Sequence, residues 1–419
     1  MRAQQGIRGS ALAMVAMLGL TACGGAPPEG ERLDPQVDFL GVVDEGWADA
    51  GMAEASVRLA TALVAAGEGE NVVVSPLSLQ LALAVLREGA TGRAAERLDE
   101  VLGLPDGDGS QAAADLRALL AQFEGDVSQI DRDNPPETPV VHIADGVFIQ
   151  PGYPVEAEFL ERAAAYHRAQ VYEADFAAGQ AKPLLDAWVE RETGGLLTEA
   201  PAEPARDTLL TLLNAVTFAA SWRSPFAPEG TRDDSFTLAD GTIVEVPMMA
   251  DAVDAGYAEG AGWRAVQLPY TEGFAMQVVL PDVAIEALGT DRWQEVRGAL
   301  VAAPEVSVDL RMPRWEMDAG LDLTALLSDL GLDVLRAPDG DLDGIFSDAY
   351  VSRVAQAATI TVAERGTVAA AVTQVEVEAT SAPLDPAIEL VLDHPFEYQV
   401  VELQTGLVLF AGRVADPSA

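Results

Sequence analysis

Only one of the 419 residues is a cysteine, Cys23, so a domain folded downstream of it has no disulfide, no thiolate metal cluster and no cysteine nucleophile. Histidine is nearly as scarce. His142 sits in the strand-like VVHIADGVFI, His167 closes a helical run and His394 precedes Pro395, and no spacing joins any of them to a serine or to a second metal ligand. Positive charge is short too: 25 Lys and Arg face 67 Asp and Glu, a net charge of −42, with no basic stripe that could neutralise phosphates. Nucleic acid and heparin-like polysaccharide are therefore not expected partners, and the acidity reads as solubility. Catalytic motifs are missing as well: no G-x-S-x-G elbow, no H-E-x-x-H, no phosphate-cradling loop, no dinucleotide fingerprint. Asp339 to Gly344 (DGDLDG) starts like a calcium loop, but Tyr350 stands where the bidentate glutamate belongs, so turn chemistry explains it better. No metal, no cofactor and no enzymatic activity are expected.

An apolar run long enough to span a bilayer is also lacking. What stands at the N-terminus is Arg2 and Arg8, then the short apolar ALAMVAMLGL, then LTAC. This resembles the lipobox of bacterial lipoproteins, which implies cleavage before Cys23 and a lipid on its thiol. Residues 1–22 are expected to be the signal peptide and 23–46, with GGAPPEGERLDP, a flexible tether. Patterned sequence resumes near Trp47, and no second linker interrupts 47–416, which reads as one domain.

Within that domain the spacing predicts helices over Met52–Ala66, from Pro76 to Gly89 behind a Ser75 cap, and over Ala94–Leu102, Ala112–Phe123 and Glu156–Tyr166. After residue 205 strand-like runs dominate: TLLTLLNAVTF, AVQLPY, FAMQVVLP, VSVDLRMP and YQVVELQTGLVLFAGRV. Helices mainly first and strands mainly later point to an α+β fold. One stretch stands apart, AERGTVAAAVTQVEVEATSAP. Taking alternate residues, Thr367, Ala369, Ala371, Thr373, Val375 and Val377 form an uncharged face, and Glu376 and Glu378 fall on the other.

Six separated segments then match one family in order: VVVSPLSLQLALAVLREGATGRAAERL, LLTLLNAVTFAASW, FTLADGTIVEVPMM, MPRW, AERGTVAAAVT and HPFEYQVVELQTGLVLFAGRVADP. From about residue 47 to 416 the chain resembles the serpins, the serine protease inhibitor family. The resemblance implies helices packed on a large central β-sheet with further sheets, and an exposed reactive loop over about 364–388. Cleaved by a protease, that loop inserts as a new central strand and carries the acylated protease with it. A segment that is first a loop and then a buried strand needs small, uncharged residues on one face and no proline in its leading part, and this one meets both demands.

By the same resemblance Glu364, Arg365, Gly366, Thr367, Val368, Ala369, Ala370 and Ala371 form the hinge. Ser75, Ser78 and Asn214 belong to a polar shutter beneath the sheet, where Gln356 replaces the family's usual histidine, and Trp222 lies at the breach where the strand first enters. Family spacing sets the reactive bond at Thr380–Ser381, with Ala379 and Ala382 as alternatives. The expected partner is a serine protease, or a cysteine protease, with a pocket for small side chains of the elastase or subtilisin kind, met by a monomer tethered outside the cytoplasmic membrane in the cell envelope or released from it. A non-inhibitory serpin-like binding or scaffold protein at the cell surface remains the alternative.

Overall fold

The computed structural model describes residues 30–43, 49–67, 71–107, 109–131, 134–201, 203–282, 287–367 and 388–419. Cys23, Trp47, Val368 to Ala371, Ala379, Thr380, Ser381 and Ala382 lie outside the described residues. Six of the eight described helices precede residue 200: α1 (Ala50–Ala66), α2 (Pro76–Arg87), α3 (Gly92–Leu102), α4 (Gly109–Leu120), α5 (Ala157–His167) and α6 (Lys182–Glu192). Only α7 (Thr290–Ala302) and α8 (Thr324–Asp329) come later, so the fold is α+β with the expected ordering.

Two sheets carry the strands. The first runs, in spatial order, β10 (Trp315–Asp322), β11 (Arg353–Ala363), β12 (Gly366–Thr367), β4 (Leu210–Ser221), β2 (Val140–Ile149) and β3 (Gln170–Glu173). The second runs β1 (Val72–Val74), β15 (Val408–Val414), β14 (Phe396–Glu402), β8 (Phe274–Pro281), β7 (Trp263–Pro269), β6 (Ile243–Gly260), β9 (Glu305–Pro313) and β13 (Ile388–Val391), with β5 (Arg232–Thr237) paired to β6.

Local chemistry explains the central elements. Ser75 Oγ accepts from the Ser78 N–H and Pro76 opens the first turn of α2, while every residue from Pro76 to Leu86 is buried. A helix apolar all round belongs in the middle of a protein. In β4 all residues but Ser221 are buried, because the strand is covered on both faces. Leu212, Val216 and Phe218 join the main core with α2, whereas Leu213 and Ala215 join Leu185 and Trp188 of α6 on the opposite face.

Three helices escaped the sequence reading, α6, α7 and α8: the first two are highly charged and the last spans only six residues. In α6, Leu184, Leu185, Trp188 and Val189 nevertheless hold the helical spacing. The flexible tether is corrected over residues 30–43. Leu33 packs against the main core, and Arg32 forms a β-bridge to Tyr172 on β3. Edge-strand hydrogen bonding uses the backbone, which a Pro/Gly-rich composition does not forbid.

Candidate functional site

The residues singled out in the sequence converge on the seam between β4 and β11. The two strands are parallel and pair directly at one end, from Arg353 opposite Thr211 to Ala357 opposite Ala215. At the other end β12 stands between them. Gly366 lies opposite Ala363 on one side and Ser221 on the other, and Thr367 opposite Val362 and Ala220. Among the described residues no strand fills the stretch between, Ala358–Thr361 facing Val216–Ala219. Gly366 has to be glycine: a Cβ there would meet the Ala220 carbonyl oxygen at 2.2 Å.

Around β12 the end of the seam is built from aromatic and ionic contacts. Thr367 is buried at 1% exposure, its hydroxyl 2.6 Å from the Tyr270 hydroxyl. Tyr270 stacks on Trp222 with ring centroids 4.4 Å apart and planes at 11°. Burial pushes the Tyr270 phenol well above its usual range, so it stays a neutral hydrogen-bonding group. Trp222 donates its indole N–H to the Ala363 carbonyl at 2.9 Å and its backbone N–H to Arg365 O at 2.8 Å. Glu364, 3% exposed, receives Arg314 Nε at 2.8 Å and the Thr231 hydroxyl. The first residues of the hinge are thus locked by charge and stacking before β12 begins.

The closed end has a different construction. The Gln356 amide clamps the start of α2, accepting from Ser75 N–H and donating to Ser75 O, both at 2.8 Å. Ser75 Oγ donates to Leu409 O, which joins this end to β15. Gln356 and Asn214 are direct register partners, yet Asn214 donates to Asp145 Oδ1 at 2.7 Å and to Ala144 O at 3.3 Å, both on β2. Asp145 in turn pairs with Arg117 of α4, both buried. The expected shutter is therefore divided: Ser75, Ser78 and Gln356 belong to the α2 side, Asn214 to the β2 side.

The remaining singled-out residues have structural partners. His142 lies 3.1 Å from Glu192, fully buried His167 lies 2.7 Å from Glu88, and His394 lies 2.7 Å from both Asp393 and Pro281 O. Asp341, in DGDLDG, accepts at its backbone from Thr91 N–H and at its carboxylate from Ala94 N–H, holding the start of α3. Among the described residues no group of His, Cys, Asp and Glu is arranged to hold a metal ion, and no helix is long and apolar enough to cross a membrane.

The family model Serpin (serine protease inhibitor) matches residues 50–417. The chain belongs to the serpin family. Similar serpins include neuroserpin of Rattus norvegicus, 30% identical, covering 90% of this chain and 93% of its own, and Serpin-ZXA of Oryza sativa subsp. japonica, 30% identical over 86% and 95%. Among solved structures, the thermophilic serpin tengpin in the native state superposes with a TM-score of 0.78 at 22% identity, covering 92% of this chain and all of that one. Sequence reasoning missed Tyr270, Arg314, Thr231, Asp145 and Arg117. Arg314 and Tyr270 lay inside quoted segments, MPRW and AVQLPY, but their partners are about 50 to 100 residues away and only the fold pairs them.

Proposed function

We propose that this serpin is a suicide-substrate inhibitor of extracellular serine proteases with a preference for small residues, held in the cell envelope by a lipid on Cys23. The family is one of serine protease inhibitors. The observation that carries the reading for this chain is the register of β12. Extended one residue at a time, it brings Ala371 between Ala358 and Val216, and Thr373 between Gln356 and Asn214. Gln356 and Asn214 already pair directly with each other, so an entering strand meets both neighbours without a register shift. The parity is favourable too. Ala369, Ala371, Thr373 and Val375 take the side of buried Thr367, and Glu376 and Glu378 take the other.

Five direct residue pairs of β4 and β11 must part to admit the strand. About a dozen newly paired residues at ~0.5–1.5 kcal/mol each return on the order of 10 kcal/mol before ordering costs. The uncleaved protein is then metastable and the cleaved one a deeper minimum.

Target class follows from the loop sequence. No Lys or Arg occurs between Gly366 and Gly412 and no aromatic before Phe396, which leaves EATSAP for a shallow pocket of the elastase or subtilisin kind. Mixing with a protease panel should give a denaturant-stable complex with elastase-like or subtilisin-like enzymes and none with trypsin. The released peptide should begin at Ser381 or within about two residues, an allowance set by loop length. Cleavage with no complex for any protease would leave the non-inhibitory alternative. The mass of Cys23 peptides from native envelopes tests the lipid.

A further inference from the structure

Residues 30–43 form a strap along the flank of the molecule. Leu33 N–H donates to Val171 O at 2.8 Å and Glu173 N–H to Glu31 O at 3.0 Å, adding a short extended segment to the outer edge of β3. Asp34 accepts from Val171 N–H at 3.1 Å. The strap then crosses α5, where Leu40 N–H donates to Ala165 O and the Arg168 guanidinium stands 4.2 Å over the Phe39 ring, and reaches α4 through Val42 N–H to Asp115. Gly41 permits this path, since a Cβ would meet the Ala114 carbonyl oxygen at 2.3 Å.

Four of the eight exposed large apolar side chains among the described residues lie within seven residues of this strap: Val37, Leu40, Val42 and Val43, 43, 45, 62 and 52% exposed. An acidic, soluble protein has little reason to gather them there. Six residues lie between Cys23 and Gly30, a leash of at most about 25 Å. We propose that the strap is a membrane-contact surface: the bilayer that takes the Cys23 lipid also receives Val37, Leu40, Val42 and Val43 at its interface. The inference rests on the proposed lipidation. It goes beyond anchoring, because a docked strap shortens the tether and fixes which flank meets the lipid. From the Glu31–Leu33 end of the strap the seam lies beyond β3, β2 and β4, about four strand spacings or ~19 Å away.

The mature chain, with Cys23 replaced by a hexahistidine tag, is bound to vesicles of phosphatidylethanolamine and phosphatidylglycerol containing a nickel-chelating lipid and a doxyl-labelled lipid. An environment-sensitive dye is attached to a single introduced cysteine, Val42→Cys on the strap or Thr138→Cys near the β12 end of the seam. The position-42 dye should shift to the blue and be quenched several-fold more than the position-138 dye. A Val37→Asp/Val43→Asp pair, both exposed and so tolerated by the fold, should abolish the difference. Equal responses at 42 and 138, or no response at 42, overturn the proposal. This anchor does not use the native lipid, so failure here is distinct from finding Cys23 unlipidated in envelopes, which would remove the lipid reading and the membrane role with it.

Discussion

The two ends of the β4–β11 seam are built on opposite principles. At the β12 end, side-chain contacts cross the seam and grip the hinge: Tyr270 reaches Thr367, Trp222 reaches Ala363 and Arg314 reaches Glu364. At the closed end the strands touch through backbone pairing, while the side chains beside that pairing are bound away from each other, Gln356 to α2 and Asn214 to β2. Across the seam this end is held by its five residue pairs and by Ser352, which bonds Leu209 and Leu210, with no bond between the Gln356 and Asn214 side chains. On the proposed mechanism, the chain is held at Glu364 to Thr367, where insertion would start, and an entering strand would next meet the directly paired end.

The strongest test of that contrast attacks the wedge. Thr367→Arg sets a charge in a site with 1% exposure and no acidic partner for it, a cost of several kcal/mol. That cost falls already on the uncleaved state, where Thr367 sits between β4 and β11, so the variant should unfold at a lower temperature and, where folded, be cleaved by elastase-like proteases with essentially no covalent complex on a denaturing gel. Undiminished complex would mean that a neutral wedge is not required for trapping.

At the closed end, Gln356→Ala leaves the Ser75 N–H buried without its partner, while the Ser75 C=O keeps the Leu79 N–H, at about 1–3 kcal/mol. A loss of about that size in native stability is expected, with faster loss of inhibitory capacity on incubation at 37 °C, because β11 is no longer tied to α2. An unfolding midpoint within error of the wild type would contradict the division of the shutter.

Tyr270→Phe keeps the stack on Trp222 and deletes only the hydroxyl that meets Thr367. About 1 kcal/mol should be lost at the β12 end. Amide exchange should rise at Gly366 and Thr367 with Arg353–Ala357 unaffected; a rise at both ends would show that the two are coupled rather than separate.

The smallest effect is a pH dependence remote from the seam. Burial holds the His167 imidazole below its ordinary range despite the adjacent Glu88. Burial alone would raise Glu88, but the hydrogen bond from His167 and the charge of Arg162 bring it below the usual carboxylate range. Both shifts have the same consequence. The unfolded chain binds more protons, so stability falls as pH drops below about 6.5 for the histidine, and falls further below about 4.5 for Glu88. Denaturation midpoints between pH 7.5 and 5.5 should decline in the wild type and flatten in His167→Gln. An equal decline in both would assign the effect elsewhere.

Much of this was legible from the chain. The Ser75 cap before Pro76 and the long apolar run of β4 are local patterns, and each is imposed by the environment the residue occupies in the fold; of the neutral face only Thr367 lies among the described residues, and it is buried. The direction in which Asn214 bonds was not legible, since an amide accepts many partners and Asp145 lies 69 residues away. The strap was not legible either. GERLDP has the composition of a linker, and what docks it is main-chain pairing to an edge strand together with one tight approach at Gly41, neither of which leaves a periodic signature.

The in-register wedge also bears on how this loop can change over generations. If the strand enters as proposed, Gly366 and Thr367 set its parity, so losing or gaining one residue between 368 and 372 would exchange the faces taken by Glu376 and Glu378 and by Val375 and Val377. Lineages of this protein should therefore tolerate single-residue length changes beyond Glu378, where specificity is set, and reject them before it. Retargeting to a new protease is then open to insertions and deletions, whereas the trapping stroke is confined to point substitutions.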